Sequence, residues 1–280
     1  MISYIGGKYR IGKWIGQYLP NNIKEYSEVF GGAFWVYLRN DFKPEKVYYN
    51  DFNRFMVNLF ESARNPEKLL KEIIGNGTLD NPQSWNYIPQ NNELFQKFLK
   101  EIIEYEKNGQ KYDIPKEDLA IKYAYLLTQV FSGTGLKENT KMMDLKGKYK
   151  TKFEAFVKRL NEPNFKEKLK NITKTYNLDF EKFINEVDNE NMVFYVDPPY
   201  YSTENYYSFH NFTKEDHLRL ANCLKNIKGK FVLSYYEFPE LLEWFPKDKY
   251  RWEEKEFAKA ASAKKGKKQN KGKEIIIMNY

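Results

Sequence analysis

"VFYVDPPYY", residues 193–201, is the stretch on which the reading of this chain turns. Together with Met192 ahead of it, the run up to Val196 is apolar or aromatic without a break, the pattern of a strand buried on both faces. An acid, two prolines and two tyrosines follow. Proline has no amide hydrogen for a sheet ladder and fixes its own φ, so the strand must stop at Asp197 and go on as a stiff, extended backbone. In an open α/β sheet the carboxyl ends of the strands are where ligands sit. An isolated acid-Pro-Pro suits a solvated turn equally well, and the rest of the chain has to separate the two.

On the N-terminal side, a glycine-containing loop leads into an amphipathic stretch, "RIGKWIGQYL", then a short strand, "YSEVF", and a second, "KVYYND". On the C-terminal side the alternation resumes with "LKNITKTYNLDFEKFI", a helix at "TKEDHLRLANCLKNI", and strands at "KFVLSYY" and "EIIIMN". Short apolar strands alternating with helices predict a parallel, doubly wound α/β sheet. Between about 57 and 160 the texture changes to lysine- and glutamate-rich helical patterns. They end in "SGTGLKENTKMMDLKGKYKTKF", whose glycines and flanking β-formers read as a loop or hairpin. The expected organisation is a discontinuous α/β domain, residues 1–56 and 161–280, interrupted by a mostly helical insertion, 57–160.

The 280 residues carry a net charge of +8, one cysteine and two histidines. One cysteine excludes an intrachain disulfide, and Cys223 with His210 and His217 is too small a set for an ordinary zinc cluster, so no metal is expected. Cys223 reads as core packing on its helix, and the histidines as capping or surface residues. No apolar leader precedes "GGKYRIGK" and no run approaches bilayer length, so a cytoplasmic protein with no membrane partner is expected. Between Lys255 and Lys273 stand eight lysines against one glutamate, nearly the whole charge excess. That segment returns to the core through Ile275–Met278, which favours a basic loop held against the body as a phosphate-contacting surface, with Lys264, Lys265, Lys267 and Lys268 at its centre.

Three further motifs fall at strand ends. "YIGGKY" sets Tyr4 and the flexible cation Lys8 around the tight turn Gly6-Gly7. "EVFGGAF" runs a strand through Glu28 and Phe30 into Gly31-Gly32, a turn that lets a ligand approach the main chain. Asp51 closes "KVYYND" about twenty residues later, the spacing at which an acid accepts bonds from ribose hydroxyls. "NDFN" also suits a helix cap, which remains the alternative for Asp51.

Taken together and in this order, the glycine turn, the ribose-type acid and the later acid-Pro-Pro-aromatic corner resemble the Dam-type, D12 class DNA adenine methyltransferases. The resemblance runs over essentially the whole chain: "YIGGK", "EVFGG", an insertion, "DPPY", "FT..DH..LA" and a closing basic strand. It implies a Rossmann-like methyltransferase sheet with helices on both faces and a DNA-recognition insertion. It also implies S-adenosyl-L-methionine as cofactor and double-stranded DNA as partner, for a prokaryotic or phage-encoded protein acting as a monomer or weak dimer on DNA. On this resemblance Tyr4, Gly7, Lys8 and Glu28 contact the cofactor, Phe30 and Gly32 shape its methionine pocket, and Asp51 holds its ribose. Asp179 and Phe180 flank its adenine. Asp197, Pro198, Pro199 and Tyr200 receive the target base, with Asp197 also bordering the cofactor. Phe34 departs from the family's frequent glycine, and "SYYE", 234–237, from its frequent Ser-Asn.

The corner suits the reaction. An exocyclic amine conjugated to a ring is a poor nucleophile, and accepting both its hydrogens, at Asp197 and the Pro198 carbonyl, localises the lone pair; these bonds strengthen as positive charge develops. Tyr200 is expected to stack on the base, which must be flipped out of a duplex to arrive. Lys137, Lys141, Lys146, Lys148 and Lys150 in the insertion are candidate DNA contacts, with ordinary solvation the alternative. The same corner fits the 4-amino group of cytosine, and a silent DNA-binding relative or an RNA substrate are the remaining alternatives.

Overall fold

The computed structural model describes residues 4, 6–75, 91–130, 136–143, 152–201, 212–258 and 271–280. The chain divides into two compact units. One consists chiefly of Asn53–Asn177 with the N-terminal residues up to Gly7; the other is Lys8–Phe52, Leu178–Asn205 and His210–Tyr280. The first unit therefore takes in more chain at both ends than the expected 57–160.

The strands among the described residues are β1 (Glu25–Glu28), β2 (Lys46–Asn50), β3 (Ile172–Tyr176), β4 (Met192–Val196), β5 (Lys230–Tyr235), β6 (Arg251–Ala258) and β7 (Lys271–Met278). All but β3 belong to the second unit, in the order β2-β1-β4-β5-β7-β6. β2, β1, β4 and β5 are parallel, and β7 runs antiparallel to both β5 and β6. This mixed sheet with helical connections is the expected Rossmann-like methyltransferase architecture. β4 is buried along its whole length, and each such side chain contributes about 1.5–3 kcal/mol relative to exposure. The polar atoms that its burial strands find partners, as when the Tyr195 hydroxyl meets Ser234 Oγ on β5 at 2.9 Å.

The chain leaves β1 for β2 on one side and returns through β4 on the other. The carboxyl ends of β1 and β4 thus flank the point where strand order reverses, the place where open sheets leave a crevice. The two ends are tied together, Val29 N–H donating to the Tyr195 carbonyl at 3.0 Å.

Several expectations need correction. "RIGKWIGQYL" supplies only a five-residue helix, Gly12–Gly16, because a glycine at each end disfavours extension. The basic segment after Lys255 is not loop throughout. Arg251–Ala258 forms β6 against β7, so Lys255, Lys271 and Lys273 lie on a ladder; Lys264, Lys265, Lys267 and Lys268 lie outside the described residues, as do Lys146, Lys148, Lys150 and His210. In the expected loop or hairpin, 132–153, the described residues 136–143 hold a turn closed by Thr140 N–H on the Lys137 carbonyl at 2.9 Å, and the last two residues already belong to the helix Lys152–Asn161. His217 is not a surface residue: it is buried, its Nδ1 lying 2.6 Å from the Tyr235 hydroxyl. Cys223 is half-buried on the helix Lys214–Lys225, and burial pushes its thiol up to about 11.

The first unit has its own core. The helices Arg54–Ala63, Pro66–Ile74, Asn92–Lys107, Glu117–Gln129 and Lys152–Asn161 bury Phe60, Leu69, Phe95, Tyr125 and Phe156. No helix among the described residues is long and apolar enough to cross a membrane. No group of three or more acidic, histidine or cysteine side chains among them is placed to hold a metal ion.

Candidate active site

The corner after β4 is built as its sequence demands. Val196 is the last ladder residue, and Asp197 emerges at the carboxyl end of β4 with 16% of its side chain exposed. Lys8 Nζ lies 2.7 Å from Asp197 Oδ1 and 3.6 Å from Glu274 Oε1. The same ammonium stands 4.7 Å from the Tyr200 ring centroid, while the Tyr200 hydroxyl donates to Glu274 Oε1. Tyr236 meets Tyr200 edge-on at 4.3 Å, so the departure at "SYYE" supplies an aromatic wall beside the corner. Burial raises the pKa of Asp197 and the Lys8 charge opposes that rise without cancelling it; the same holds for Glu274, which Asp197 pushes further up. Two carboxyls and one ammonium therefore share a buried site.

Beside this corner, the loop after β1 is held by its neighbours. Gly31 N–H donates to the Asn50 carbonyl at 2.7 Å, and Gly32 N–H to Asp51 Oδ2 at 2.7 Å. A Cβ on Gly31 would sit 2.3 Å from the Tyr49 ring, and Gly32 has φ +47°, so neither position accepts a side chain without strain. Phe34 is the one non-glycine residue with positive φ among the described residues, at φ 58°, ψ 33°. A glycine would adopt this left-handed conformation freely. Phe34 is held there by complete burial against Tyr37 and Tyr49.

Asn50 escaped the sequence reading. Its side chain donates to the Val29 carbonyl at 2.9 Å and the Leu178 carbonyl at 3.1 Å, and accepts from Leu178 N–H at 3.0 Å. It thereby clasps the loop after β1 to the loop that carries Asp179. Asp179 caps the helix Phe180–Val187 through Glu181 N–H, and Arg219 holds both its oxygens at 2.9 and 2.8 Å. Burial acts to raise Asp179, but the Arg219 bonds and charge outweigh it and keep its pKa below the usual range. Phe180, Phe30 and Phe212 form an aromatic cluster with centroids 5.7–5.8 Å apart, and Arg219 lies over Phe180 at 4.2 Å.

The structure therefore brings together Lys8, Phe30, Gly32, Asp51, Asp179, Phe180, Asp197 and Tyr200 within one unit. Glu28 is present but turned inward. Its Oε1 accepts from Tyr37 N–H at 2.7 Å and the Tyr26 hydroxyl at 3.1 Å, and burial, against those bonds, raises its pKa to about 8. Lys8 has its ammonium on Asp197. Tyr4 and Gly7 fall in the other unit, where Gly7 N–H donates to the Tyr4 carbonyl at 3.0 Å and the Tyr4 hydroxyl takes a 3.3 Å bond from Asn53 Nδ2. Lys137 and Lys141 are exposed on that unit.

Residues 4–260 match the family model of the D12 class N6 adenine-specific DNA methyltransferases. The chain is 26% identical to the type II methyltransferase M1.LlaDCHI of Lactococcus lactis subsp. cremoris, over 99% of its own length and 94% of that protein's. It is 27% identical to the type II methyltransferase M.MjaIII of Methanocaldococcus jannaschii, over 100% and 98% of the two chains. It is also 24% identical to the modification methylase StsI of Streptococcus sanguinis, covering 83% of this chain and 34% of that one.

Proposed function

Because the chain belongs to the D12 class of N6 adenine-specific DNA methyltransferases, we propose that its methyl transfer runs at the Asp197-Pro198-Pro199-Tyr200 corner, with the turn after β1 as the cofactor seat. One observation supports this most strongly: Asp197 stands at the carboxyl end of β4 beside the end of β1, the reversal point of the sheet.

Asp197 and the Pro198 carbonyl accept the two hydrogens of the 6-amino group. The prolines fix the backbone so that both acceptors face one nitrogen, whose lone pair is then localised. The carboxylate interacts more strongly as that nitrogen gains positive charge, which is the preferential stabilisation of the transition state that catalysis requires. Because burial raises Asp197, the carboxylate is also a fitting acceptor for the proton that the methylated nitrogen must lose. Tyr200 and Tyr236 offer aromatic surface to a base swung out of the duplex, and stacking of this kind is worth about 1–3 kcal/mol per base.

The residues around the β1 turn fit S-adenosyl-L-methionine. A glycine pair without room for side chains lets a ligand approach the main chain, Asp51 is a carboxylate for ribose hydroxyls, and Phe30 and Phe180 give apolar surface next to Asp179 for an adenine. When bound, the cofactor supplies an electrophilic methyl carbon on a sulfonium. Asp179 serves the adenine wall through a position pre-set by Arg219, and Glu28 supports the turn from inside the protein.

The unit Asn53–Asn177 is assigned to target recognition, with Lys137 and Lys141 exposed for phosphate contact and the basic segment 259–270 adding a second footprint on double-stranded DNA. The type II and modification-methylase names of bacterial and archaeal relatives support a role in marking host DNA; the working form is read as a monomer or weak dimer on DNA in a prokaryotic cytoplasm. The test is direct. The protein is incubated with methyl-labelled S-adenosylmethionine and duplex DNA, and the DNA is digested to nucleosides. Label on N6-methyladenine is expected; label on cytosine alone overturns the assignment.

A further inference from the structure

Glu274 is a buried acid that the sequence reading passed over. It sits on β7 immediately before Ile275–Met278 with 1% of its side chain exposed, where an apolar residue would continue the core. Removing a carboxylate from water costs several kcal/mol unless it is paired and hydrogen-bonded. Its partners are the Tyr200 hydroxyl and the Lys8 ammonium, and both already belong to the corner. The other titratable groups facing it are Asp197, Tyr195 and Tyr236. Lys255, its cross-strand neighbour on β6, is turned onto the Trp14 ring at 5.3 Å.

We propose that Glu274 is a positioning residue for methyl transfer: it anchors the Tyr200 ring through its hydroxyl and gives Lys8 a second carboxylate, so that Asp197 is released to accept the substrate amine. The proposal rests on the reading that Asp197 receives that amine. Lys8 lies between the two acids, at 2.7 Å from Asp197 and 3.6 Å from Glu274. A substrate amino group must compete with the ammonium for Asp197 oxygens. With Glu274 present, the ammonium keeps a partner when it gives up Asp197, and the buried positive charge is never left alone. Tyr200 has only two side-chain torsions, and an anchored hydroxyl sets both, which fixes the ring before the base arrives.

The test compares Glu274→Gln with the wild type in the full-length protein. Glutamine keeps the shape and an oxygen for the Tyr200 hydroxyl but removes the charge, leaving Lys8 to bear on Asp197 alone. The expected result is a loss of kcat of about ten-fold to a hundred-fold, the scale of misplacement at a reacting centre. Cofactor and DNA affinities should stay within about three-fold. The acidic limb of the kcat/KM profile moves to lower pH, because Lys8, which already lowers Asp197, then bears on it alone. Tyr200→Phe is expected to lose part of kcat, and the double variant to be no worse than the poorer single, as for residues acting as a unit. If Glu274→Gln does not fold, Glu274→Asp replaces it; this keeps the charge but is one methylene short of Tyr200, and a kcat loss with the limb unmoved is expected. Turnover within about two-fold of wild type in whichever variant is measured overturns the proposal, as does an unmoved acidic limb in Glu274→Gln. Asp197→Ala run in parallel separates the two readings. If it is active, the assignment of Asp197 fails; if it is inactive while Glu274→Gln behaves as wild type, only the role of Glu274 fails.

Discussion

Replacing Lys8 with methionine removes the cation that lies between Asp197 and Glu274 while keeping much of the length and bulk of the side chain. Only 7% of the Lys8 side chain and 1% of the Glu274 side chain are exposed, so water can do little to replace the missing partner. Breaking a buried pair in this way costs about 3–5 kcal/mol, a large share of the roughly 5–15 kcal/mol that holds a typical domain folded. The two acids have one way to reduce that cost, which is to take up a proton. Burial already raises both, and the Lys8 charge pulls them back down together with the Tyr200 hydroxyl, so both rise further in Lys8→Met. Above the ordinary carboxylate range the native state of the variant then binds more protons than the unfolded chain, and its stability falls as pH rises through the raised native values. Urea unfolding of both proteins across pH measures this. The gap between wild type and variant should be clearly smaller at about pH 5 than at about pH 8. A gap independent of pH, or one that widens towards acid, would refute the coupling of Lys8 to these carboxyls.

Phe34→Ala and Phe34→Gly both delete a buried ring, at a cost of about 3–5 kcal/mol. Glycine also relieves a left-handed backbone worth about 1–2 kcal/mol, so the glycine variant should unfold at the higher urea concentration, and the opposite order contradicts the strain at this position. Gly31→Ala drives a Cβ to 2.3 Å from the Tyr49 ring, whose hydroxyl donates to the Gly32 carbonyl. Calorimetry should then show S-adenosylmethionine affinity lowered by at least about ten-fold, and unchanged affinity separates this turn from the cofactor. Neutralising Lys264, Lys265, Lys267 and Lys268 should flatten the salt dependence of DNA binding by a slope of about 0.9 for each DNA phosphate that no longer has a lysine beside it; an unchanged slope assigns that segment to solvent.

The central sheet was legible because its strands are short, apolar and closed by diagnostic residues. "MVFYV" ending on Asp-Pro-Pro locates β4, and "KVYYN" ending on Asp51 locates β2, each within a residue or two. β6 was not legible. "RWEEKEFA" pairs along its whole length with β7, yet its acids and lysine give the appearance of a solvated segment. Pattern reading also fails where a polar residue is buried for a partner distant in sequence. Glu274 looks like one charge in a lysine-rich run, and only the fold brings Lys8 and Tyr200 to it; an acid directly abutting a four-residue apolar run was the available hint. His217 looks amphipathic-surface until Tyr235 is placed against it. Asn50 was hidden beside the more suggestive Asp51, although it joins the loop after β1 to the loop that carries Asp179. Phe34 is a further case, since its ring predicts burial correctly while nothing about it predicts a left-handed backbone.

The measurement closest to the core of the account is single-turnover methylation by Asp197→Ala, with the enzyme saturated in both cofactor and DNA. Removing the carboxylate should slow transfer to adenine by at least about a hundred-fold, the scale on which one preorganised transition-state contact acts, with DNA and cofactor affinities held within about three-fold. A variant that still methylates adenine at a near-wild-type rate would contradict the assignment of this corner as the place where the amine is held.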